Sequence, residues 1–213
     1  MTRLYLVRHG ETEWNKAGRI QGGIDTELSD YGLEQAHTLG RRLTREKIDV
    51  IYSSRLKRAM NTAKILGEYN KCNIYEADDN HEIRLGPWEG MTIDEIREKY
   101  ESHYKVYTED PSNFFMPGAE TLLQLADRTY KAILDIVDKH SGSNILLVSH
   151  GTAIKAAMMK ILGIDLCNYK KFKIDNASIT IIDFYGNDPG KPVVICINDT
   201  CHLEEASERE ENI

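Results

Sequence analysis

Residues 4–10 read Leu-Tyr-Leu-Val-Arg-His-Gly, an apolar run that ends in an arginine and a histidine. The run has the length and the branched apolar side chains of a buried strand. Open α/β sheets bind their ligands at the carboxyl ends of the strands. Arg8 and His9 are therefore predicted to lie at a reactive edge of such a sheet.

Two further apolar runs end in polar residues of the same kind. The run at 145–148 leads into Ser-His-Gly, which contains His150, and the run at 50–52 leads into a segment that contains Arg58. Helical patterns alternate with these runs, which favours a mostly parallel sheet covered by helices on both faces. We expect a three-layer α/β fold that brings two histidines and two arginines to one edge.

The remaining elements are predicted from periodicity and capping residues. Helices are expected after Ser29, after Arg55 and from about Thr121 to Lys139, and strands at 178–185 and 193–198 are expected to pair across a turn at 186–190. On the first helix, the inward positions are predicted to be Leu33, Ala36, Leu39 and Leu43.

The chain length of 213 residues predicts one domain, at residues 1–203, followed by a charged tail at 204–213. A small helical or loop subdomain is expected as an insertion at about 91–120, over the C-terminal edge of the sheet. Its aromatic-rich part at 100–118 reads as irregular. Packing within the subdomain is favoured for these aromatic residues over covering a ligand cleft.

Composition limits the classes of partner. A net charge of −7 argues against nucleic acid, and no apolar stretch approaches the length needed to span a membrane. The N-terminus lacks a secretory signal, and the four cysteines show no paired spacing, so a reduced, cytoplasmic protein is expected. A basic cluster inside an acidic protein instead indicates a small anionic ligand.

The residues at the strand ends suit attack on phosphorus, although each is weak evidence alone. A neutral imidazole such as His9 is nucleophilic when its other ring nitrogen is held by a hydrogen bond and nearby cations suppress its protonation. Arg8 and Arg58 could present paired donors to phosphoryl oxygens, and a protonated His150 would add another donor. A leaving oxygen also needs an acid, and the residues alone leave Glu82 and Glu89 open.

A metallohydrolase is the competing interpretation. His9, His81, Glu82 and His150 could be drawn as metal ligands. The neighbouring arginines oppose this interpretation, because cations beside a metal ion raise its electrostatic cost. We therefore expect neither a metal nor another cofactor.

Four motifs occur in a characteristic order along the chain. They are Leu-Val-Arg-His-Gly-Glu-Thr at 6–12, Ser-Ser-Arg-Leu-Lys-Arg-Ala at 53–59, Glu-Ile at 82–83 with Gly-Pro-Trp-Glu-Gly at 86–90, and Leu-Val-Ser-His-Gly at 147–151. Together the motifs resemble the histidine phosphatase superfamily, the phosphoglycerate mutase-like proteins, from Leu4 to about Asn198. The family's fold, a mostly parallel sheet between helices with a small inserted subdomain, agrees with the fold expected above.

The resemblance also implies roles for the site residues. His9 would become phosphorylated, and Glu82, rather than Glu89, would be the acid and base. Arg8, Arg58 and His150 would form the phosphate pocket. Further phosphate or substrate contacts would come from Asn15, Gln21, Gly22 and Gly151.

The superfamily contains phosphatases and mutases. Members that are mutases resemble one another in a longer, basic insertion after the Trp-Glu-Gly motif, whereas this chain is short there, which favours hydrolysis. The expected partner is a small phosphorylated metabolite, and a homodimer is the assembly considered. A mutase and a non-catalytic phospho-ligand binding module are the alternatives, although the module would be expected to have lost His9 or Glu82.

Within the phosphatases, the C-terminal part resembles metal-independent phosphoserine phosphatases, and α-ribazole phosphatases share the same core. Phosphoserine-specific members tend to carry a histidine where this chain has Leu85. That departure is expected to allow a less polar leaving group.

Overall fold

The N-terminal apolar run forms a strand that is buried on both faces. The computed structural model describes residues 1–186 and 191–204, and strand β1 spans Thr2–Arg8. Leu4 and Leu6 pack into one hydrophobic cluster, whereas Tyr5 and Val7 pack into another on the opposite face. Apolar residues on both faces are typical of an inner strand of an α/β sheet, which is what the sequence predicts.

The described strands form one mixed sheet in the order β3-β2-β4-β1-β5-β6. They are β1, β2 (Val50–Ser53), β3 (Ile74–Glu76), β4 (Asn144–Ser149), β5 (Ile179–Phe184) and β6 (Pro192–Asp199). Strands β1 to β4 pair in parallel, and β5 and β6 are antiparallel to their neighbours. The predicted mostly parallel α/β fold is confirmed.

Helices cover both faces of this sheet. The helices of the described residues are α1 (Glu13–Lys16), α2 (Asp30–Leu43), α3 (Lys57–Asn70), α4 (Ile93–Lys99), α5 (Glu101–Glu109), α6 (Leu122–Lys139) and α7 (Gly151–Leu162), of which α2, α3, α6 and α7 pack on the sheet. One face packs against α2 and α3 through residues such as Leu39 and Ala63, and the other packs against α6 and α7 through residues such as Ile133 and Ala157. Ser29 caps α2, as predicted, and α6 matches the predicted helix from about Thr121 to Lys139, with Thr121 as its N-cap.

Strand register places the carboxyl ends of three strands side by side. Arg8 of β1 pairs with Ser149 of β4, and Ser53 of β2 pairs with Val148. The residues that directly follow these strands therefore share one edge of the sheet, where the sequence analysis places the reactive groups.

Three expectations are corrected. The sequence analysis missed β3, because this three-residue strand at the sheet edge has a single partner and half-exposed side chains. The segment 100–118 is not irregular throughout, since its first half forms α5. Leu33 does not face inward: it is 39% exposed, because its position on α2 turns away from the sheet.

The inserted segment packs around one buried aromatic side chain. The ring centroid of Trp88 lies 4.9 Å from that of Phe114 and 5.3 Å from that of Tyr107. Ile96 and Met116 belong to the same cluster, the third, which also includes residues from the first turns of α6 and α7. The aromatic residues of 100–118 thus pack with one another, as in the favoured alternative.

Two predicted features lie outside the described residues: most of the turn, at 187–190, and the charged tail from residue 205.

Among the helices of the described ranges, none combines the length and apolar composition of a bilayer-spanning segment.

Glycines let α2 press against the loop that follows β1. A side chain at Gly32 would overlap the carbonyl oxygen of Glu11, and one at Gly10 would overlap the carbonyl oxygen of Gly32. We predict that Gly32→Ala lowers the free energy of unfolding by at least about 1–3 kcal/mol, the usual cost of overpacking. Gly23→Ala is the control, because its Cβ would lie at an ordinary 3.5 Å from Arg84. Equal chemical-denaturation midpoints for the two variants would contradict the prediction.

Candidate active site

Strands β1 and β4 deliver two histidines to the shared edge. The ring centroids of His9 and His150 lie 5.1 Å apart, and the ring planes are tilted by 60°. Both side chains are buried, and the backbone N–H of His9 donates to the carbonyl of Ser149 at 3.0 Å. The predicted meeting of these two residues is thus present in the structure.

A hydrogen bond fixes the tautomer of His9. Its Nδ1 lies 2.6 Å from the carbonyl oxygen of Gly10. Because a carbonyl only accepts, Nδ1 must carry the proton, and Nε2 keeps its lone pair. The Asn176 amide also donates to the carbonyl oxygens of His9 (3.0 Å) and Gly10 (3.3 Å), which holds this turn in place.

Buried surroundings keep both imidazoles neutral. Burial, then the charges of Arg58 and Arg8, lowers the pKa of His9 well below 6.5. Burial and the Arg58 charge also lower the pKa of His150 well below its ordinary value. These surroundings favour a neutral His150, which donates from one ring nitrogen, over the protonated form considered from the sequence.

Ser54 orients His150. Its hydroxyl lies 2.9 Å from Nε2 of His150 and accepts a long hydrogen bond, 3.4 Å, from the backbone N–H of Leu56. The hydroxyl proton is thus available to Nε2, which leaves the ring proton on Nδ1. This assignment makes Nδ1 of His150 a donor.

Two guanidinium groups flank the histidines. Arg58 donates from Nη1 to the carbonyl of Ile24 at 2.7 Å and from Nη2 to the carbonyl of Gly22 at 2.9 Å. Arg8 donates from Nη1 to the carbonyl of Ile174 at 2.7 Å. Burial lowers the pKa of Arg58 to about 10 and also lowers that of Arg8, yet both groups remain cationic near neutral pH.

Several buried donors in this cluster lack an acceptor. Nε of Arg8, Nε of Arg58 and Nδ1 of His150 have no hydrogen-bond partner within the described residues. Buried polar groups are almost always satisfied, and those that are not call for an explanation. Three such donors around His9 are what an anion-binding site requires.

Glu82 and Glu89 occupy different surroundings. The carboxylate of Glu82 accepts from the backbone N–H groups of Ile83 (2.9 Å), Ala153 (3.1 Å) and Thr152 (3.2 Å). It therefore sits at the N-terminus of α7, directly after His150. Glu89 instead accepts from the N–H groups of Leu85 (2.9 Å) and Gly23 (3.1 Å) and ties two loops together.

The other predicted contact residues support this frame. Thr12 caps α1, and Oδ1 of Asn15 accepts from the Thr12 N–H at 3.1 Å. Gln21 is buried, and its amide oxygen accepts from Thr26. Gly22 adopts a left-handed φ of +53°, and a side chain there would overlap the Glu89 carboxylate. Gly151 starts α7, and a Cβ there would lie 3.3 Å from Nε of Arg8.

Leu85 is buried in the third hydrophobic cluster together with Trp88.

Sequence reasoning missed Arg128, which holds the segment that carries Glu82. This α6 residue donates from Nη1 to the carbonyl of His81 at 3.0 Å and from Nη2 to that of Glu82 at 3.3 Å. Glu120 pairs with the same guanidinium at 2.6 and 2.8 Å. No local motif could reveal this contact, because Arg128 lies 46 residues from Glu82.

Thr62 was also missed, although it lies four residues after Arg58 on α3. Its hydroxyl accepts from the N–H of Gly10 at 3.1 Å and donates to the carbonyl of Arg58 at 2.8 Å. Thr62 thus links the turn after His9 to the helix that carries Arg58.

Within residues 1–186 and 191–204, no group of three or more histidine, cysteine, aspartate or glutamate side chains is placed to hold a metal ion. His9 and His150 lie together, but their charged neighbours include two arginines.

Known proteins match nearly the whole chain. The histidine phosphatase superfamily (branch 1) matches residues 4–200. Phosphoserine phosphatase 1 of Hydrogenobacter thermophilus is 37% identical over 205 residues, which cover 96% of each chain. A protein named probable phosphoglycerate mutase GpmB, from Salmonella choleraesuis, is 35% identical over 96% of each chain.

A solved structure agrees with these relatives. A mutant of phosphoserine phosphatase from Entamoeba histolytica, in complex with phosphoserine, has a TM-score of 0.84 and 34% identity, and covers 95% of this chain and 100% of its own. The chain belongs to the histidine phosphatase superfamily. The prediction of this family is confirmed, as is that of its enzyme class, a phosphoric monoester hydrolase.

The electrostatics of the cluster predict how His9 titrates. Replacing Arg58 by Gln removes a positive charge, so the pKa of His9 should rise, while burial still holds it below 6.5. NMR titration of a protein with labelled imidazoles measures this shift directly. Arg55→Gln, which changes an exposed arginine three positions earlier, should leave the His9 titration unchanged. An unshifted midpoint in Arg58→Gln would refute the electrostatic account.

Proposed function

We propose that the protein is a metal-independent phosphomonoesterase that transfers the phosphoryl group of a small metabolite to His9 and then to water. The observation that carries the proposal is the state of His9. Its Nδ1 is tied to a carbonyl, its pKa is lowered well below 6.5, and two guanidinium groups lie beside it. An unprotonated Nε2 in a cationic pocket is a nucleophile for phosphorus.

In the first step, Nε2 of His9 attacks phosphorus, and the bond from phosphorus to the ester oxygen breaks. The leaving oxygen takes a proton from Glu82. Arg8, Arg58 and His150 stabilise the charge that spreads over the three equatorial oxygens.

In the second step, water attacks the phosphorus of phospho-His9 and loses its proton to Glu82. The nitrogen–phosphorus bond breaks, and phosphate leaves. Glu82 is thus protonated again for the next cycle, and the proposed steps need no metal ion.

Hydrolysis is favoured over a mutase reaction by the composition of the insertion. Its basic residues Arg97, Lys99 and Lys105 are exposed, so they offer no enclosed site that would retain an intermediate. A mutase remains the second candidate, because one of the relatives is named a probable phosphoglycerate mutase.

Compartment and assembly complete the proposal. Cys72, Cys167, Cys196 and Cys201 are free, which supports a reducing, cytoplasmic location. The homodimer stays a prediction.

The roles of the two glutamates can be separated by replacing each with Gln. Loss of a general acid costs on the order of 100- to 10,000-fold when the leaving oxygen is basic. We expect Glu82→Gln to lose alkyl phosphate hydrolysis by that factor, but to release a burst of nitrophenol from nitrophenyl phosphate. Slow turnover should follow, because water then lacks its base, and an acid-labile phosphohistidine should accumulate.

Glu89→Gln is the matched control, because it changes a carboxylate of the same segment whose contacts only hold two loops together. It should show neither the burst nor the accumulated phosphoenzyme. If Glu82→Gln slows aryl and alkyl esters equally and traps no phosphoenzyme, Glu82 only positions other groups and the proposed role is wrong.

A further inference from the structure

Two lysines lie over a pair of buried tyrosines next to the proposed acid. The Nζ of Lys155, on α7, lies 3.8 Å from the ring centroid of Tyr169, and the Nζ of Lys170 lies 4.3 Å from that of Tyr107. Lys170 also lies 5.7 Å from the Tyr169 ring. Because Lys170 contacts both rings and Lys155 contacts one of them, these four side chains form one cluster, the lysine–tyrosine cluster.

Hydrogen bonds connect the lysine–tyrosine cluster to Glu82. The hydroxyl of Tyr169 donates to Oγ1 of Thr152 at 3.2 Å, and the backbone N–H of Thr152 donates to Glu82 at 3.2 Å. Thr152 and Lys155 are three residues apart on α7, so they share a helix face. A leaving group that accepts a proton from Glu82 would therefore extend toward Lys155.

The charges of this cluster are not balanced by the protein. Neither Lys155 nor Lys170 forms a salt bridge with a carboxylate in the described part of the chain. Burial and the Lys170 charge lower the pKa of Lys155 to about 8, although Glu82 opposes the shift. The tyrosines add no negative charge, since burial raises the pKa of Tyr107 to about 12 and that of Tyr169 well above 10.

Lys155 is partly buried, and Lys170 lies at the surface beside it. A partly buried ammonium group that lacks a counter-ion and lies near a second one is costly, and the cost falls when an anion binds. The phosphoryl dianion itself is matched by Arg8 and Arg58. The lysines are thus left for a second anion on the same substrate, beyond the ester oxygen.

We infer that Lys155 and Lys170 form a subsite for a carboxylate on the leaving group, so that the substrate is a phosphorylated carboxylic acid without an ammonium group next to the carboxylate. The inference rests on the proposed phosphatase function. One ammonium group faces each carboxylate oxygen, and the same charges repel an α-ammonium group. The lysines, rather than Leu85, then set the polarity of the leaving group.

Three esters of similar size test this subsite. In 3-phosphoglycerate, the leaving group carries a hydroxyl and a carboxylate; glycerol 3-phosphate replaces the carboxylate by a hydroxymethyl group, and O-phosphoserine replaces the hydroxyl by an ammonium group. The wild-type protein should show its highest kcat/KM on 3-phosphoglycerate. A charge-assisted hydrogen bond is worth about tenfold or more in affinity. Lys155→Met should therefore reduce the ratio of kcat/KM for 3-phosphoglycerate to kcat/KM for glycerol 3-phosphate by at least that factor.

Controls separate this subsite from a general loss of charge or fold. Lys155→Met should change hydrolysis of nitrophenyl phosphate less than about threefold, because that ester has no carboxylate, and Lys155→Arg should restore most of the ratio. Lys171→Met removes the exposed neighbour of Lys170 and should leave the ratio unchanged. An unchanged ratio in Lys155→Met, or an equal fall in Lys171→Met, would overturn the inference.

Binding distinguishes failure of the subsite from failure of the proposed function. Calorimetry on His9→Ala and on His9→Ala with Lys155→Met measures the affinity for 3-phosphoglycerate and glycerol 3-phosphate without turnover. The binding preference is the ratio of the affinities of His9→Ala for 3-phosphoglycerate and glycerol 3-phosphate. If the wild-type protein hydrolyses none of the esters but adding Lys155→Met to His9→Ala removes this preference, the subsite stands and the phosphatase proposal fails. If hydrolysis occurs and the binding preference does not depend on Lys155, the subsite fails alone.

Discussion

The hydrogen bond from Nδ1 of His9 to the carbonyl of Gly10 is the constraint on which the rest of the site depends. It leaves a lone pair on Nε2, and burial beside Arg8 and Arg58 keeps that lone pair unprotonated. Either condition alone would fail, because a free imidazole would exchange tautomers and an exposed one would be partly protonated. The Asn176 amide and the close approach of Gly32 hold the turn in which this bond forms.

The fold supplies the other half of the site through helix termini and loops. Parallel pairing of β1 and β4 sets His9 beside His150, and the start of α7 directly after His150 provides the N–H groups that hold Glu82. Arg128 anchors the segment before Glu82 from α6. The nucleophile, the phosphate donors and the proposed acid are thus positioned by different elements that meet at one sheet edge.

Much of this arrangement could be predicted from the sequence, because parallel strands end at a common edge and their apolar runs are easily recognised. That reasoning is enough to place His9 and His150 together. It could not choose between Glu82 and Glu89, which lie in one short segment and differ only in the donors that fold around them. It also missed Arg128 and the lysine–tyrosine cluster, because their contacts join distant segments that carry no local pattern.

The central claim is that the phosphoryl group passes through His9 before it reaches water. Each transfer inverts the configuration at phosphorus, so two transfers restore it. The stereochemical course, measured with a thiophosphate ester made chiral by oxygen isotopes and hydrolysed in isotopically labelled water, tests this claim most directly. The account predicts net retention of configuration in the released thiophosphate, whereas net inversion would show direct attack by water and contradict it.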